Sequence, residues 1–174
     1  SIIDSRIFQG IFTTDAMRAV WSDENRTRQY VAIERALAIV QGRLGLIPRE
    51  AADEIVSHCH IDRIDMARLR EQTERIGYPI LGVVTQINQL CRDKLGEYVH
   101  WGATTQDITD TATVLQIREA LALVDAELEG IANALARLAK EHRLTPMIGR
   151  SNLQQAIPVT FGYKVAIWLD MFDR

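Results

Sequence analysis

Apolar residues recur at helical spacing through most of the chain, and nowhere over a useful length do they alternate as a strand would. Tyr30, Ile33, Leu37, Val40 and Leu44 follow steps of three and four, the interval that lines one face of an α-helix. Ser22 stands ahead of them as a cap, because its hydroxyl can accept from the free N–H groups of a first helical turn. Gly45 ends that helix, since glycine tolerates the left-handed conformation a helix terminus often needs. A shorter helical piece is predicted over Asp15–Val20, and Pro48 opens another helix that carries Ile55 and Val56. Ile64, Leu69 and Ile76 mark one more, broken at Gly77. Pro79 then starts a helix with Ile80, Val83, Val84, Ile87, Leu90 and Cys91 on its apolar face, stopping near Gly96. Residues 1–100 thus read as a small N-terminal domain of short helices with short connections.

The pattern changes after residue 100. Between residues 105 and 142 there is no proline, and Gly130 is the only glycine. Leu121, Val124, Leu128, Ile131, Leu135 and Leu138 repeat in alternating steps of three and four, the seam of a helical bundle. A helix of roughly 37 residues spans about 55 Å, several times a usual globular helix. After Thr145 and Pro146 the pattern reads as a loop over residues 147–155. A second helix is expected from near Pro158, with Phe161, Val165, Trp168, Leu169 and Phe172 on one face. Residues 101–174 therefore read as the first two long helices of a central bundle, and the predicted fold class is all-α. Two helices cannot bury this much apolar surface, so further helices from the same protein or from other subunits are expected.

Composition narrows the class. The 174 residues are 47% apolar and 25% charged, with a formal net charge of −3. There is no basic block and no acidic tail, so neither nucleic acid nor an anionic membrane surface is an expected partner. No signal peptide and no apolar run of membrane length is present, and a cytoplasmic location is the default expectation. Cys59 and Cys91 lack metal-type or redox-type spacing and are expected to be free, buried or half-buried thiols. The chain opens at Ser1 and stops at Arg174 inside an apolar helical pattern, which suggests that it is C-terminally incomplete.

Two polar clusters carry the candidate chemistry. The first is His100-Trp101-Gly102-Ala103-Thr104-Thr105-Gln106-Asp107. Thr104 and Thr105 fall at the start of the long helix, where hydroxyls and free N–H groups make a site for a carboxylate or phosphate. His100 is placed to donate to the same anion or to move a proton near neutral pH. Trp101 is expected to serve packing. The second is Gly149-Arg150-Ser151-Asn152-Leu153-Gln154-Gln155-Ala156. Arg150, Ser151, Asn152 and Gln154 offer donors suited to a carboxylate. His58 and His60 have no matching ligands at metal spacing, and His142 suits the C-terminal end of the long helix. No metal and no cofactor is predicted. Taken singly, each cluster also fits a plain helix cap or an interhelical turn.

Together, in this order and on either side of a long helix, the clusters resemble the fumarase/aspartase superfamily, in its branch of adenylosuccinate lyase and 3-carboxy-cis,cis-muconate cycloisomerase. Asp110-Thr111-Ala112 extends the first signature, and Ile157-Pro158 with Thr160-Phe161-Gly162 extends the second. Phe12-Thr13-Thr14-Asp15-Ala16-Met17-Arg18 also reads like the cycloisomerase group. The resemblance implies a homotetramer whose active sites draw on segments of three subunits. It implies proton abstraction next to a carboxylate, through a carbanion-like aci-carboxylate. By motif position Thr104 and Thr105 would hold a substrate carboxylate, and His100, Gln106 and Asp107 would line the site. Arg150, Ser151, Asn152 and Gln154 would face it from another subunit.

One departure matters. The second signature usually reads Gly-Arg-Thr-His in lyases of this branch, whereas this chain has Gly149-Arg150-Ser151-Asn152. Asparagine hydrogen-bonds but is no acid at neutral pH, so His100 and Asn152 become the candidates nearest the chemistry. The change favours a cycloisomerase of the 3-carboxymuconate type, acting on a polycarboxylate from aromatic breakdown. A fumarate-releasing lyase with another substrate is the alternative, and a non-catalytic helical scaffold is the third reading. The superfamily's third signature, a flexible loop with the catalytic serine, has no match within residues 1–174. The 174-residue chain by itself is accordingly expected to show no turnover; measurable turnover by this piece, freed of longer protein, would overturn the assignment.

Overall fold

The computed structural model describes residues 5–172; Ser1 and Arg174, on which the expectation of an incomplete chain rests, lie outside them. The regular elements of the described residues are eight α-helices, two short 3-10 turns and one two-stranded antiparallel sheet. The chain divides into two compact units, Ser1–Ala120 and Leu121–Arg174.

The first unit contains α1 (Gln9–Phe12), α2 (Asp15–Val20), α3 (Asp23–Leu44), α4 (Arg49–His58), α5 (Met66–Ile76), α6 (Ile80–Leu90) and the opening turns of α7 (Thr105–Glu141). The punctuation acts as the sequence suggests. The Ser22 hydroxyl accepts from the Asn25 N–H at 3.1 Å, and Gly45 closes α3 at φ 71°. Gly77 closes α5 at φ 98°. Asp65 caps the start of α5, and the Gln86 amide ties α6 to the Asp65 backbone through two hydrogen bonds. Ile55, Val83 and Ile87 are fully buried, in one cluster with Tyr30, Val31, Ile80, Ile108 and Ala112.

Two expectations for this unit need correction. Helix α6 ends at Leu90 rather than near Gly96. Asp93 and Lys94 both take left-handed conformations that no helix continues through, and a 3-10 turn over Leu95–Tyr98 follows. The buried face of α3 matches the expected apolar stripe only in part: Tyr30 is in the core and Ile33 packs against it. Val40 and Leu44 are exposed, whereas Thr27, Tyr30, Val31, Glu34, Ala38 and Gln41 are buried. Polar side chains are tolerated inside when they are hydrogen-bonded, and here the partners come from distant segments.

Helix α7 is fastened by the same device. Ile108 and Ala112 sit in the core, and the buried Gln116 donates to the Val20 carbonyl at 2.7 Å. Glu119 accepts from Asn25 at 2.7 Å and from Gln29 at 2.6 Å. The fourth turn of α7 is thus tied to α2 and α3 by hydrogen bonds, and the turns before it place Ile108 and Ala112 in the core.

The second unit holds the rest of α7, a hairpin of β1 (Pro146–Ser151) and β2 (Gln154–Thr160), and α8 (Phe161–Phe172). The expected loop over residues 147–155 is this hairpin, and α8 starts at Phe161 rather than near Pro158. Neither strand has a buried residue: β1 alternates only between exposed and half-buried positions, and β2 is exposed over its first five, so no apolar alternation marks the pair in the sequence. Thr160 caps α8 by accepting from the Tyr163 N–H. Gly162 lies where a Cβ would come within 2.5 Å of the Ala139 carbonyl oxygen, so only glycine lets α8 approach α7 there. On α7 itself Leu121, Val124 and Ile131 remain exposed. Among the described residues no helix is long and apolar enough to cross a membrane.

Cys59 and Cys91 are both free. Burial pushes the Cys59 thiol up to about 12, with the Glu34 charge adding to the shift, and the Cys91 thiol up to about 11. At pH 8 roughly one Cys91 thiol in 10³, and fewer at Cys59, is the reactive thiolate. Both are expected to alkylate with iodoacetamide in the folded full-length protein at least 10-fold more slowly than after denaturation in urea, as followed by peptide mass spectrometry.

Candidate active site

The first cluster is a strained turn at the head of α7. Val99 is buried and anchors it. His100 then takes φ 61° and Gly102 φ 68°. Glycine fills such a position freely, but a left-handed histidine costs on the order of 1–3 kcal/mol and persists only where its surroundings hold it. Two side chains of α3 supply that hold. His100 Nδ1 lies 2.6 Å from Glu34 Oε1, and the Gln41 amide donates to the Trp101 carbonyl at 2.7 Å. The seven-residue spacing of Glu34 and Gln41 puts them on one face, two turns apart.

Glu34 is the residue sequence reading missed. It is 2% exposed, in the middle of α3 between the buried Val31 and Ala38. Burial raises its carboxyl above the ordinary carboxylate range, while the hydrogen bond and charge of His100 pull the other way. Its second oxygen, Oε2, is buried with no hydrogen-bond partner among the described residues. The only signal in the sequence was a glutamate on the same heptad stripe as Thr27 and Gln41.

The helix start carries one half of a capping box, the carboxylate reaching back to the N-cap backbone. Thr104 precedes α7, and its backbone N–H donates to Asp107 Oδ2 at 2.9 Å. The Asp107 carboxylate is therefore engaged with the backbone. Gln106 reaches along the helix to Asp110 at 3.2 Å. Among the described residues the hydroxyls of Thr104 and Thr105 make no hydrogen bond, with Thr104 exposed and Thr105 half-buried. Trp101 stacks obliquely on Tyr98 with ring centres 5.5 Å apart, yet it stays 50% exposed, so it packs less completely than expected.

The second cluster forms the hairpin tip. Ser151 pairs with Gln154 across a two-residue turn in which Asn152 and Leu153 take φ 48° and 63°. That is the mirror-image turn that suits twisted strands, and asparagine enters it readily while leucine does not. Leu153 is nevertheless 93% exposed there. Arg150, Ser151, Asn152 and Gln154 are exposed, and their side chains have no hydrogen bond or ion pair among the described residues. A register shift between Ile148 and Arg150 places Gly149 opposite two residues of β2, and a Cβ at Gly149 would lie 2.8 Å from the Ile157 carbonyl oxygen. His100, Thr104, Thr105, Gln106 and Asp107 belong to the first unit; Arg150, Ser151, Asn152 and Gln154 belong to the second. Among the described residues no group of three or more His, Cys, Asp or Glu is arranged to hold a metal ion.

Comparison with known proteins places this geometry among others. The profile of a lyase family matches residues 6–174. The chain is 57% identical over 164 residues to trans-aconitate decarboxylase 1 of Mycosarcoma maydis, covering 94% of this chain and 33% of that protein. Among solved structures it is similar to a fumarate lyase from Mesorhizobium sp. BNC1, with 52% identity and a TM-score of 0.90 over 94% of this chain and 38% of that one. It is also similar to the β-carboxy-cis,cis-muconate cycloisomerase of Acinetobacter calcoaceticus sp. ADP1, with 36% identity and a TM-score of 0.91 over 97% of this chain and 40% of that one. The chain thus spans a third to two fifths of the length of these relatives.

The bulge makes a direct prediction. Gly149→Ala drives a methyl group into the β2 backbone and is expected to destabilise the full-length protein by about 1–3 kcal/mol, read from urea unfolding.

Proposed function

The chain belongs to this lyase family, within the fumarase/aspartase superfamily, and from that premise we propose that the full-length protein transforms a polycarboxylate at a carbon next to one of its carboxylates. The observation that carries the proposal is the pair of unengaged hydroxyls, Thr104 and Thr105, at the head of a 37-residue helix, beside a histidine held in a strained conformation. Removing a proton next to a carboxylate puts a second negative charge onto that carboxylate. Hydroxyl donors and first-turn N–H groups, aimed in advance at that charge, lower the barrier to forming it. In this reading Thr104 and Thr105 bind the carboxylate, Gln106 and Asp107 shape the helix start, and His100 donates to the anion or moves a proton. Arg150, Ser151, Asn152 and Gln154 bind further carboxylates from another copy of the chain, in a tetramer with shared sites. The base, a serine on a flexible loop, comes from sequence outside these 174 residues.

Asn152 selects within that class. An amide supplies hydrogen bonds but no proton, so reactions without an amine leaving group suit it best. Lactonisation of a muconate-type tricarboxylate is such a reaction, because a carboxylate adds to a double bond of its own molecule. This cycloisomerase reading fits a role in aromatic breakdown. The 57% identical relative is named for decarboxylation of trans-aconitate, another unsaturated tricarboxylate whose reaction has no amine to protonate. A fumarate-releasing lyase is the second reading, favoured by the 52% identity to a structure of that name.

Changing both Thr104 and Thr105 to valine is expected to lower kcat/KM of the full-length protein by about 10²–10³-fold; full activity in the double variant ends the anion-binding role. Product analysis separates the reactions: the cycloisomerase consumes conjugated muconate and releases nothing, a decarboxylase releases carbon dioxide, and the lyase releases fumarate, seen by its ultraviolet absorbance.

A further inference from the structure

We infer that Glu34 is a positioning residue that fixes the proton of His100 on Nδ1, so that Nε2 is the nitrogen through which this histidine exchanges a proton or hydrogen bond with the site. The inference rests on the reading that His100 belongs to the active site, and it adds a residue from a helix outside both signature clusters.

Three observations carry it. The contact is short, 2.6 Å between Nδ1 and Oε1, and it joins residues 66 positions apart. An ionised Glu34 only accepts, and the ring nitrogen facing it is then the one that carries hydrogen. The carboxylate is also immobile: the Glu34 side chain is almost fully enclosed and the His100 side chain is 18% exposed. A buried carboxylate with one oxygen on a histidine and the other without a partner costs desolvation energy. A core position with no role beyond packing is better filled by an apolar side chain of similar size. Finally, the backbone of His100 is held at φ 61° and the next carbonyl is held by Gln41, so ring and turn are fixed by the same helix face. Nε2 makes no hydrogen bond within the described residues, and it is the nitrogen left for exchange. The buried thiol of Cys59 is the other titratable group that the Glu34 charge reaches.

The step balances without any added reactant. With Nδ1–H donated to Glu34, the ring takes a proton on Nε2 to become an imidazolium and returns it from the same nitrogen. An ionised Glu34 on the other side of the ring stabilises the imidazolium.

The test is 15N spectroscopy of the full-length protein labelled at histidine, with His100 assigned by its loss in His100→Asn. Spectra from pH 5 to pH 10 show which ring nitrogen gives up its proton. Loss from Nε2, with Nδ1 still protonated in the neutral ring, is the expected result; loss from Nδ1 overturns the inference, whether or not any variant folds. In Glu34→Leu, checked by circular dichroism for retained helix, the Nδ1-protonated share is expected to fall from nearly all to below half. An unchanged share in the folded variant also overturns it. Neither measurement needs a substrate. Failure of the threonine double variant to lose activity therefore removes the anion-binding reading alone, and the wrong tautomer removes this inference alone.

Discussion

A carboxylate can stay inside a protein only if something there replaces water around it, and among the described residues the Glu34 carboxylate has a single such partner in His100. The requirement runs in both directions. Taking away one member of a buried pair leaves an uncompensated polar group and costs on the order of 3–5 kcal/mol. His100 in turn occupies a left-handed conformation that its own backbone disfavours. The pair therefore couples the middle of α3 to the turn just before α7, and Gln41 repeats the coupling two turns further along by holding the Trp101 carbonyl. This attachment holds the turn that leads into the first residues of α7.

The rest of the first unit extends the same arrangement. Asn25, Gln29, Gln116 and Glu119 form a polar clasp around the Val20 carbonyl. This clasp holds α7 from its fourth turn, while Ile108 and Ala112 fill the core between clasp and turn. Hydrogen bonds are directional, so a helix held by them keeps its rotation as well as its position. That matters for a helix whose first turn has to present two hydroxyls and its free N–H groups in one direction. Purely apolar packing tolerates small slides that this geometry does not.

The second unit spends its polar groups differently. Arg150, Ser151, Asn152 and Gln154 satisfy nothing within the described residues, and Leu153 stands almost bare at a strained turn. An isolated two-stranded hairpin is marginal in water. Here it is anchored by Thr160 at the start of α8, by the bulge at Gly149 and by the close approach of Gly162 to α7. The exposed seam of Leu121, Val124 and Ile131 belongs to the same pattern of surfaces unfilled within the chain. In a shared-site tetramer of the kind proposed, both surfaces have a use.

Local chemistry made much of this legible from residues alone. Ser22, Gly45 and Gly77 bound their helices where the sequence placed them, because capping depends on side chains within one turn. The 37 residues of α7 were readable because nothing in them interrupts a helix. The signature clusters were readable as sequence motifs, and the family they indicate is the one the chain matches. Tertiary structure decided the rest. It turned α3 so that Glu34 and Gln41 face inward in place of Val40 and Leu44, since their partners lie 66 and 60 residues away and no local pattern encodes them. It made a hairpin of residues read as a loop, since strands with no buried residue carry no clear apolar alternation. The sequence by itself determined that the chain is helical, where α3 begins, where the capped helices α3 and α5 end, and which motifs flank the long helix. Which face each helix buries, and which nitrogen of His100 meets a carboxylate, were decided only by long-range partners, because burial and hydrogen bonding depend on what arrives from elsewhere in the chain.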